Sequence, residues 1–244
     1  MNLRRRLSEL QVAVMLLTRL PVGRINGAAP GLAQARWAFP IAGALVGLLT
    51  WAAHAGALAL GAPSGVAALL ALAWLALLTG ALHFDGLADY ADGIGGGRDK
   101  SHALEIMRDS RIGSYGVLAI VVVSGLWAAS VMAVAPGPMA FVGAAMISRG
   151  GMMTVQDILP PARADGMATM AAGPSRAARG VLALMVGAAL LFWPIPLVVC
   201  IVAVALVGYQ ARRKIGGQTG DVLGAAQLLS ETAIWVALAC QTGQ

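Results

Sequence analysis

The chain has 244 residues, of which 59% are hydrophobic and 11% charged, against about 25% charged in an average soluble domain. With a mean hydropathy of +0.78 it reads as an integral membrane protein, which excludes a soluble globular enzyme. The net charge of +6 and pI near 10.1 come from cations flanking apolar stretches, the ordinary topology and anionic-lipid signal, so no nucleic-acid partner is expected.

No Asp, Glu, Lys or Arg occurs in 37–84, 112–148 or 180–211. A hydrocarbon core about 30 Å thick takes roughly 20 helical residues, so each gap should hold two helices with a break between them. Breaks stand at Gly61-Ala62-Pro63-Ser64-Gly65, Pro136-Gly137-Pro138 and Pro194-Ile195-Pro196, all poor helix interiors. In chain order, spans are predicted at 37–60, 65–82, 114–135, 139–155, 179–193, 196–210 and 222–240. The expected fold is an all-α, polytopic bundle of seven transmembrane helices, a single membrane-embedded domain over 1–244. Long continuous apolar runs exclude a β-barrel. Segment 7–22 is too short to span and is predicted as an N-terminal interfacial or re-entrant helix. Residues 1–21 carry Glu9 and Arg19 within their apolar stretch and no small-residue cleavage site, so no cleaved signal is expected.

All 17 Lys and Arg fall in 4–36, 98–111, 149–179 and 212–214, zones that the predicted spans bring toward one side. The positive-inside rule makes that side the cytoplasm. The other side receives only uncharged turns and a short tail, so function is expected on the cytoplasmic face. Cys200 and Cys240 lie in predicted spans without metal-ligand spacing and read as small buried apolar residues.

Below the second predicted span stand His83-Phe84-Asp85-Gly86-Leu87-Ala88-Asp89-Tyr90-Ala91-Asp92-Gly93. At 100° per residue, Asp85, Asp89 and Asp92 fall at about 0°, 40° and −20°, one narrow helical face. Like charges so aligned repel unless a cation lies between them, and hard oxygen ligands without cysteine favour Mg²⁺, Mn²⁺ or Ca²⁺. The alternative is a solvated acidic helix end. After Gly95-Gly96-Gly97 a second polar helix is predicted over 101–113, with Glu105 and Asp109 at i,i+4, folding back beside the first. Arg98, Lys100, Arg108 and Arg111 stand among these carboxylates, a mixture suited to a metal and cations sharing a phosphate substrate. Asp89-Tyr90-Ala91-Asp92-Gly93 followed by Glu105 and Asp109 resembles the acidic signature of CDP-alcohol phosphotransferases, in which two helices present carboxylates to a dimetal centre. The Ala-Arg of that pattern is absent, with Gly96-Gly97-Arg98 near its place.

Farther along, Arg149 lies inside the predicted span 139–155, where a charge must face protein, water or a route to the interface; a substrate pocket is the favoured reading. Gly216-Gly217-Gln218-Thr219-Gly220-Asp221 is a turn feeding the last span. Its amides and Gln218 suit a phosphate or base, while Asp221 serves equally as a helix N-cap. His54, His102 and the 6 tryptophans read as packing, loop or interface residues.

These pieces, with Thr18-Arg19-Leu20-Pro21-Val22, Phe39-Pro40-Ile41-Ala42-Gly43, Thr79-Gly80, Leu104-Glu105-Ile106-Met107-Arg108-Asp109-Ser110-Arg111-Ile112-Gly113, Ser148-Arg149-Gly150 and Leu223-Gly224-Ala225-Ala226, closely resemble the cobalamin synthase family, the adenosylcobinamide-GDP ribazoletransferases, nearly end to end. The resemblance implies that a ribose hydroxyl of alpha-ribazole or its 5′-phosphate displaces GMP from adenosylcobinamide-GDP, giving adenosylcobalamin or its 5′-phosphate. It implies Mg²⁺ as cofactor, held by Asp85, Asp89, Asp92 and Asp109, with Asp85, Asp89, Glu105 and Asp109 as catalytic carboxylates. Arg108 and Arg111 are the implied diphosphate contacts, and Arg19, His83, Arg149, Gln218 and Asp221 further substrate contacts. The lipid bilayer is an expected partner, and a homo-oligomer stays open. Of the rivals, a CDP-alcohol phosphatidyltransferase-like phospholipid synthase is disfavoured by the missing Ala-Arg. A cation transporter is disfavoured because the acidic cluster falls at a cytoplasmic helix end, with no matching carboxylate expected near mid-membrane.

Overall fold

The computed structural model describes residues 3–25 and 27–242, so the ends of the predicted 1–244 domain lie outside the described residues. The chain forms α1 (Leu3–Leu17), α2 (Leu32–Ala35) with a 3-10 turn (Arg36–Ala38), α3 (Phe39–Ala59), α4 (Ser64–Thr79), α5 (Leu82–Gly96) and α6 (Lys100–Ile106). It continues through α7 (Ser114–Val134), α8 (Pro138–Ile158), α9 (Met167–Met170), α10 (Arg176–Phe192), α11 (Pro194–Ile215) and α12 (Gly220–Thr242). Among the described residues the one β feature is an isolated bridge between Pro161 and Gln218.

All seven predicted apolar segments are helices, and helices end at all three predicted breaks. Pro138 and Pro194 open α8 and α11, where proline's missing N–H would have had no intrahelical partner. The span count is coarser than expected. Among the described residues four helices are long and apolar enough to cross a membrane: α3 with its lead-in from Leu32, α7, α11 and α12. A fifth crossing requires α4 and α5 together, a pair bent by 90°. α10 has only 17 residues, and α8 carries Arg149, Thr154, Gln156 and Asp157 in its second half.

The helix expected over 7–22 is α1, which starts earlier and stops at Leu17, leaving no helix from Thr18 to Ile25. Its inner face is Glu9, Val12, Ala13, Val14 and Leu17. Buried Glu9 accepts from Arg6 and from the Trp37 indole, each at 2.7 Å, with Arg5 at 3.4 Å. A carboxylate satisfied by three donors thus docks α1 onto the entry to α3.

α12 is the most enclosed of the apolar helices and packs against α5, α7, α8 and α11. At its centre Trp235 meets Trp127 and Phe141 edge to face, with centroids 5.8 and 4.9 Å apart. α3 reaches α8 through Gly43 and Gly47, where a Cβ would run into the carbonyls of Ala145 and Phe141, the small-residue spacing that lets membrane helices touch backbone to backbone. Cys200 is buried, but Cys240 is exposed, contrary to the sequence expectation.

The same core corrects the argument that no carboxylate lies midway through a span. Glu231, near the middle of α12, is 3% exposed and faces fully buried Arg149 on α8 at 3.5 Å. It accepts from the Gln227 amide at 2.6 Å and from the Ser148 hydroxyl at 3.3 Å. Charges in a low-dielectric interior persist only when paired and hydrogen-bonded; Glu231 meets both conditions, whereas Arg149 is held through Nη1 alone, by Glu231 and by the Ala145 carbonyl at 3.0 Å, with Nε and Nη2 unpartnered.

Candidate active site

The acidic helix α5 is aimed by a hinge. Gly80 and Ala81 both adopt left-handed backbone, φ 62° and 56°, so α5 leaves α4 at 90°. Glycine adopts this region freely, but alanine there is strained. Ala81 is held by its N–H on the Ala76 carbonyl at 2.7 Å. The Arg19 N–H donates to the Leu78 carbonyl at 2.8 Å, and the Arg19 guanidinium lies over Gly80 where any Cβ would collide. The structure therefore places Arg19 at the hinge, bracing the bend.

Beyond the hinge α5 crosses the start of α12 with almost no spacing. A Cβ on Gly86 would lie 3.2 Å from the Asp221 carbonyl and from Gly224 Cα. This contact sets Asp221, in the first turn of α12, beside the carboxylates of α5: Asp89 feels Asp221, Asp85 and Asp92 as like charges and Arg163 as the opposing cation. Asp85 is exposed and Asp89 half-buried. Asp92, 7% exposed, turns elsewhere: its Oδ2 accepts from Gly113 N at 2.7 Å and its Oδ1 from Gly116 N at 2.9 Å. It satisfies the free amides at the start of α7, whose positive dipole end favours an anion.

The second predicted polar helix is shorter than expected. Asp99 caps α6, accepting from His102 N at 2.9 Å, and that bond together with the Ser101 hydroxyl holds its carboxyl below the usual range. The helix ends at Ile106, so Glu105 and Asp109 do not form one carboxylate face. So short a helix has little stability of its own, and the capture of Gly113 by Asp92 directs the chain into α7. Asp109 instead accepts from Arg111 through the backbone at 3.1 Å and the guanidinium at 2.7 Å, which holds its carboxyl below the usual range. Glu105 is exposed, Arg111 is 87% exposed, and Arg108 donates to both oxygens of Asp165 at 2.7 Å. Among the described residues no group of three or more His, Cys, Asp or Glu converges in a metal-binding arrangement.

What the sequence reading missed is Arg163. α8 stops before Pro160, and the following loop is stitched to the turn ahead of α12: Gln218 N donates to the Pro160 carbonyl and Ala162 N to the Gln218 carbonyl, both at 2.8 Å. Gly217 permits this, since a Cβ there would strike the Pro160 carbonyl. The stitch delivers Arg163 Nη2 to Asp221 Oδ2 at 3.0 Å, and the Thr219 hydroxyl donates to the same oxygen at 3.0 Å. Thr219 also accepts from Val222 N at 3.3 Å, so Thr219, rather than Asp221, caps α12. No local pattern around Arg163 signals its place, because the contact spans 58 residues.

Two cavities flank the α5–α12 crossing. One, of about 140 Å³, is lined by Arg163, Asp165, Thr169, Gln218, Thr219 and Asp221. Gln218 is 1% exposed, and neither atom of its amide has a partner, nor does Arg163 Nε. The other is a narrow, mainly apolar cleft among Leu17, Phe39, Met152 and Leu223, with His83 and Gln156 as its polar groups. His83 is buried with neither ring nitrogen partnered.

The family profile of cobalamin-5-phosphate synthase matches residues 9–239. A protein of Bradyrhizobium diazoefficiens named adenosylcobinamide-GDP ribazoletransferase is 43% identical over 256 residues, covering 100% of this chain and 98% of that protein. Proteins of the same name from Rhizobium etli and Azorhizobium caulinodans are each 43% identical, the first covering 93% of this chain and 94% of its own, the second 93% of both. No solved structure matches. The Asp-rich α5, its hinge and the Gly-rich lead into α12 all lie within the matched stretch, and the chain belongs to the cobalamin-5-phosphate synthase family.

Proposed function

We propose that the protein is an adenosylcobinamide-GDP ribazoletransferase acting at the cytoplasmic face of a bacterial inner membrane, with its seven apolar helices as spans. It transfers the adenosylcobinamide-phosphate group of adenosylcobinamide-GDP to alpha-ribazole or alpha-ribazole 5′-phosphate and releases GMP. The observation that carries the reading is the close crossing at Gly86, which sets the α5 turn carrying Asp85 and Asp89 against Asp221 of α12, itself paired with Arg163, within a chain of this family.

The acceptor hydroxyl oxygen bonds to the cobinamide-side phosphorus while the bridging P–O bond to GMP breaks. The hydroxyl proton passes to a carboxylate of the cluster, and GMP leaves with the bridging oxygen. Asp85, exposed beside half-buried Asp89, is open to an incoming hydroxyl and is the base best placed by access. Arg163 offers the cationic charge that stabilises the leaving phosphate, and Arg108 donates to Asp165, a residue of the neighbouring cavity's wall.

Clustered carboxylate oxygens without thiolates suit a hard divalent ion. Mg²⁺ characteristically takes only one or two carboxylates, with water and substrate phosphate completing its shell, so Asp89 and Asp221 would be the pair to hold it, leaving Asp85 as the base. Bound there, Mg²⁺ would neutralise diphosphate charge and polarise the phosphoryl oxygens. Asp92 supports this group from behind by fixing α5 to α7.

The test is turnover by the purified protein in lipid vesicles, supplied with adenosylcobinamide-GDP and alpha-ribazole 5′-phosphate, following GMP and corrinoid product. Product formation that requires Mg²⁺, stops with EDTA and is lost in folded Asp85→Ala and Asp89→Asn proteins is expected. No product from folded wild-type protein with either acceptor would overturn the proposal, and release of CMP from a CDP-alcohol would replace it with the phospholipid reaction.

A further inference from the structure

Gln218 poses a physical problem. An amide side chain with both its N–H group and its oxygen unpartnered in a site 1% exposed forfeits hydrogen bonds that water supplies in the unfolded chain. Such groups in native proteins call for an explanation, and a ligand is one. The surroundings narrow the ligand class. The cavity of about 140 Å³ has room for a phosphate group. Arg163 lines it with its buried Nε unpartnered while Nη2 is anchored by Asp221, so the guanidinium is fixed at one edge and keeps an unused donor at another. The Thr169 hydroxyl donates to the Arg163 carbonyl at 3.0 Å and so fixes the loop that carries Arg163, and the cavity meets the start of α12, a 23-residue helix whose first amides favour an anion. The two carboxylates on the wall are already engaged, Asp221 by Arg163 and Thr219, Asp165 by Arg108.

We propose that this cavity is the seat of the guanylate-side phosphate of the donor, the group that departs as GMP, with Arg163 Nε and the Gln218 amide as its hydrogen-bond donors. The assignment rests on the transferase reading for the identity of the nucleotide. Its place follows from the geometry: Asp221 lines the cavity, and its backbone meets Gly86, the residue after Asp85 on α5. A phosphate held by Arg163 therefore lies next to the carboxylates that receive the acceptor. Arg108 and Arg111, the arginines singled out by sequence, are exposed and held by Asp165 and Asp109; Arg163 is the inner cation.

GMP is the probe. Its binding to wild-type protein in detergent is measured by titration calorimetry, and its inhibition of turnover is measured against each substrate. Gln218→Leu is the decisive variant, since it removes both unpartnered amide atoms and leaves the Arg163–Asp221 contact intact. We expect GMP affinity and donor KM to weaken roughly 10- to 100-fold, the range of one charge-assisted contact, with acceptor KM unchanged. Thermal stability should hold or rise, because an unsatisfied polar group has left the interior. Arg163→Lys should weaken GMP in the same direction, because lysine keeps the charge without the guanidinium fork. Unchanged GMP affinity in both variants, or a change confined to acceptor KM, overturns the assignment while leaving the transferase reading intact. If wild-type protein binds GMP through these residues yet gives no product, the transferase reading fails and the nucleotide site stands.

Discussion

Replacing Asp92 by alanine separates a structural carboxylate from a metal-ligating one. Asp92 accepts two backbone N–H bonds, from Gly113 at 2.7 Å and Gly116 at 2.9 Å, while 7% exposed. A hydrogen bond to a charged group contributes about 1.5–3 kcal/mol, and the carboxylate also complements the α7 dipole. Because the two bonds share one side chain and water enters the gap partly, the loss in Asp92→Ala should be about 3–4 kcal/mol. Asparagine keeps one acceptor oxygen, so Asp92→Asn should lose about half of that. At about 2–4 °C per kcal/mol for a chain this long, Asp92→Ala should lower the midpoint of thermal unfolding in detergent by roughly 6–16 °C. Gly116→Ala should follow it, because a Cβ there would crowd the Asp92 carboxylate and lie 3.0 Å from the Ala88 carbonyl. An Asp92→Ala protein with unchanged melting but no Mg²⁺-dependent turnover would refute the capping argument and return Asp92 to the ligand set that the helical spacing suggests.

Gly86→Val should force α5 off α12, since even a Cβ at this position lies 3.2 Å from backbone atoms of Asp221 and Gly224; turnover should fall at least about tenfold, and retained activity would mean that the crossing does not position the carboxylates. Glu231→Ala leaves fully buried Arg149 without its carboxylate and should destabilise the fold by about 3–5 kcal/mol, read from unfolding in mixed micelles. The double variant Arg149→Met/Glu231→Ala should recover part of that loss, and a neutral single variant would contradict the pairing. The Asp109–Arg111 contact depresses the Asp109 carboxyl, so its stabilising share is complete above the ordinary carboxylate range and disappears as pH falls through the lowered value. Carboxyl-carbon chemical shifts should show Asp109 protonating below an ordinary aspartate, and an ordinary titration would dismiss the contact in solution.

The class of protein, the helical segments and the chemistry carried by α5 are legible in the sequence, because they rest on local quantities. Long charge-free runs require helices in lipid, proline and glycine end them, and a 3.6-residue period sets Asp85, Asp89 and Asp92 on one face whatever surrounds them. Family membership is legible too, since the motifs run along most of the chain. Local pattern does not decide which carboxylates work together. Asp92 and Asp109 carry the expected residue type at the expected spacing, yet one is drawn to the amides of Gly113 and Gly116 and the other to Arg111. Asp221 and Arg163 enter the group only because Gly86 and Gly224 let two helices meet and because the Pro160–Ala162 loop pairs with Gln218. Glu231 likewise becomes a tolerable mid-span charge only opposite Arg149. Contacts between residues dozens of positions apart depend on how helices cross, and that is set by close packing in three dimensions rather than by any periodicity along the chain.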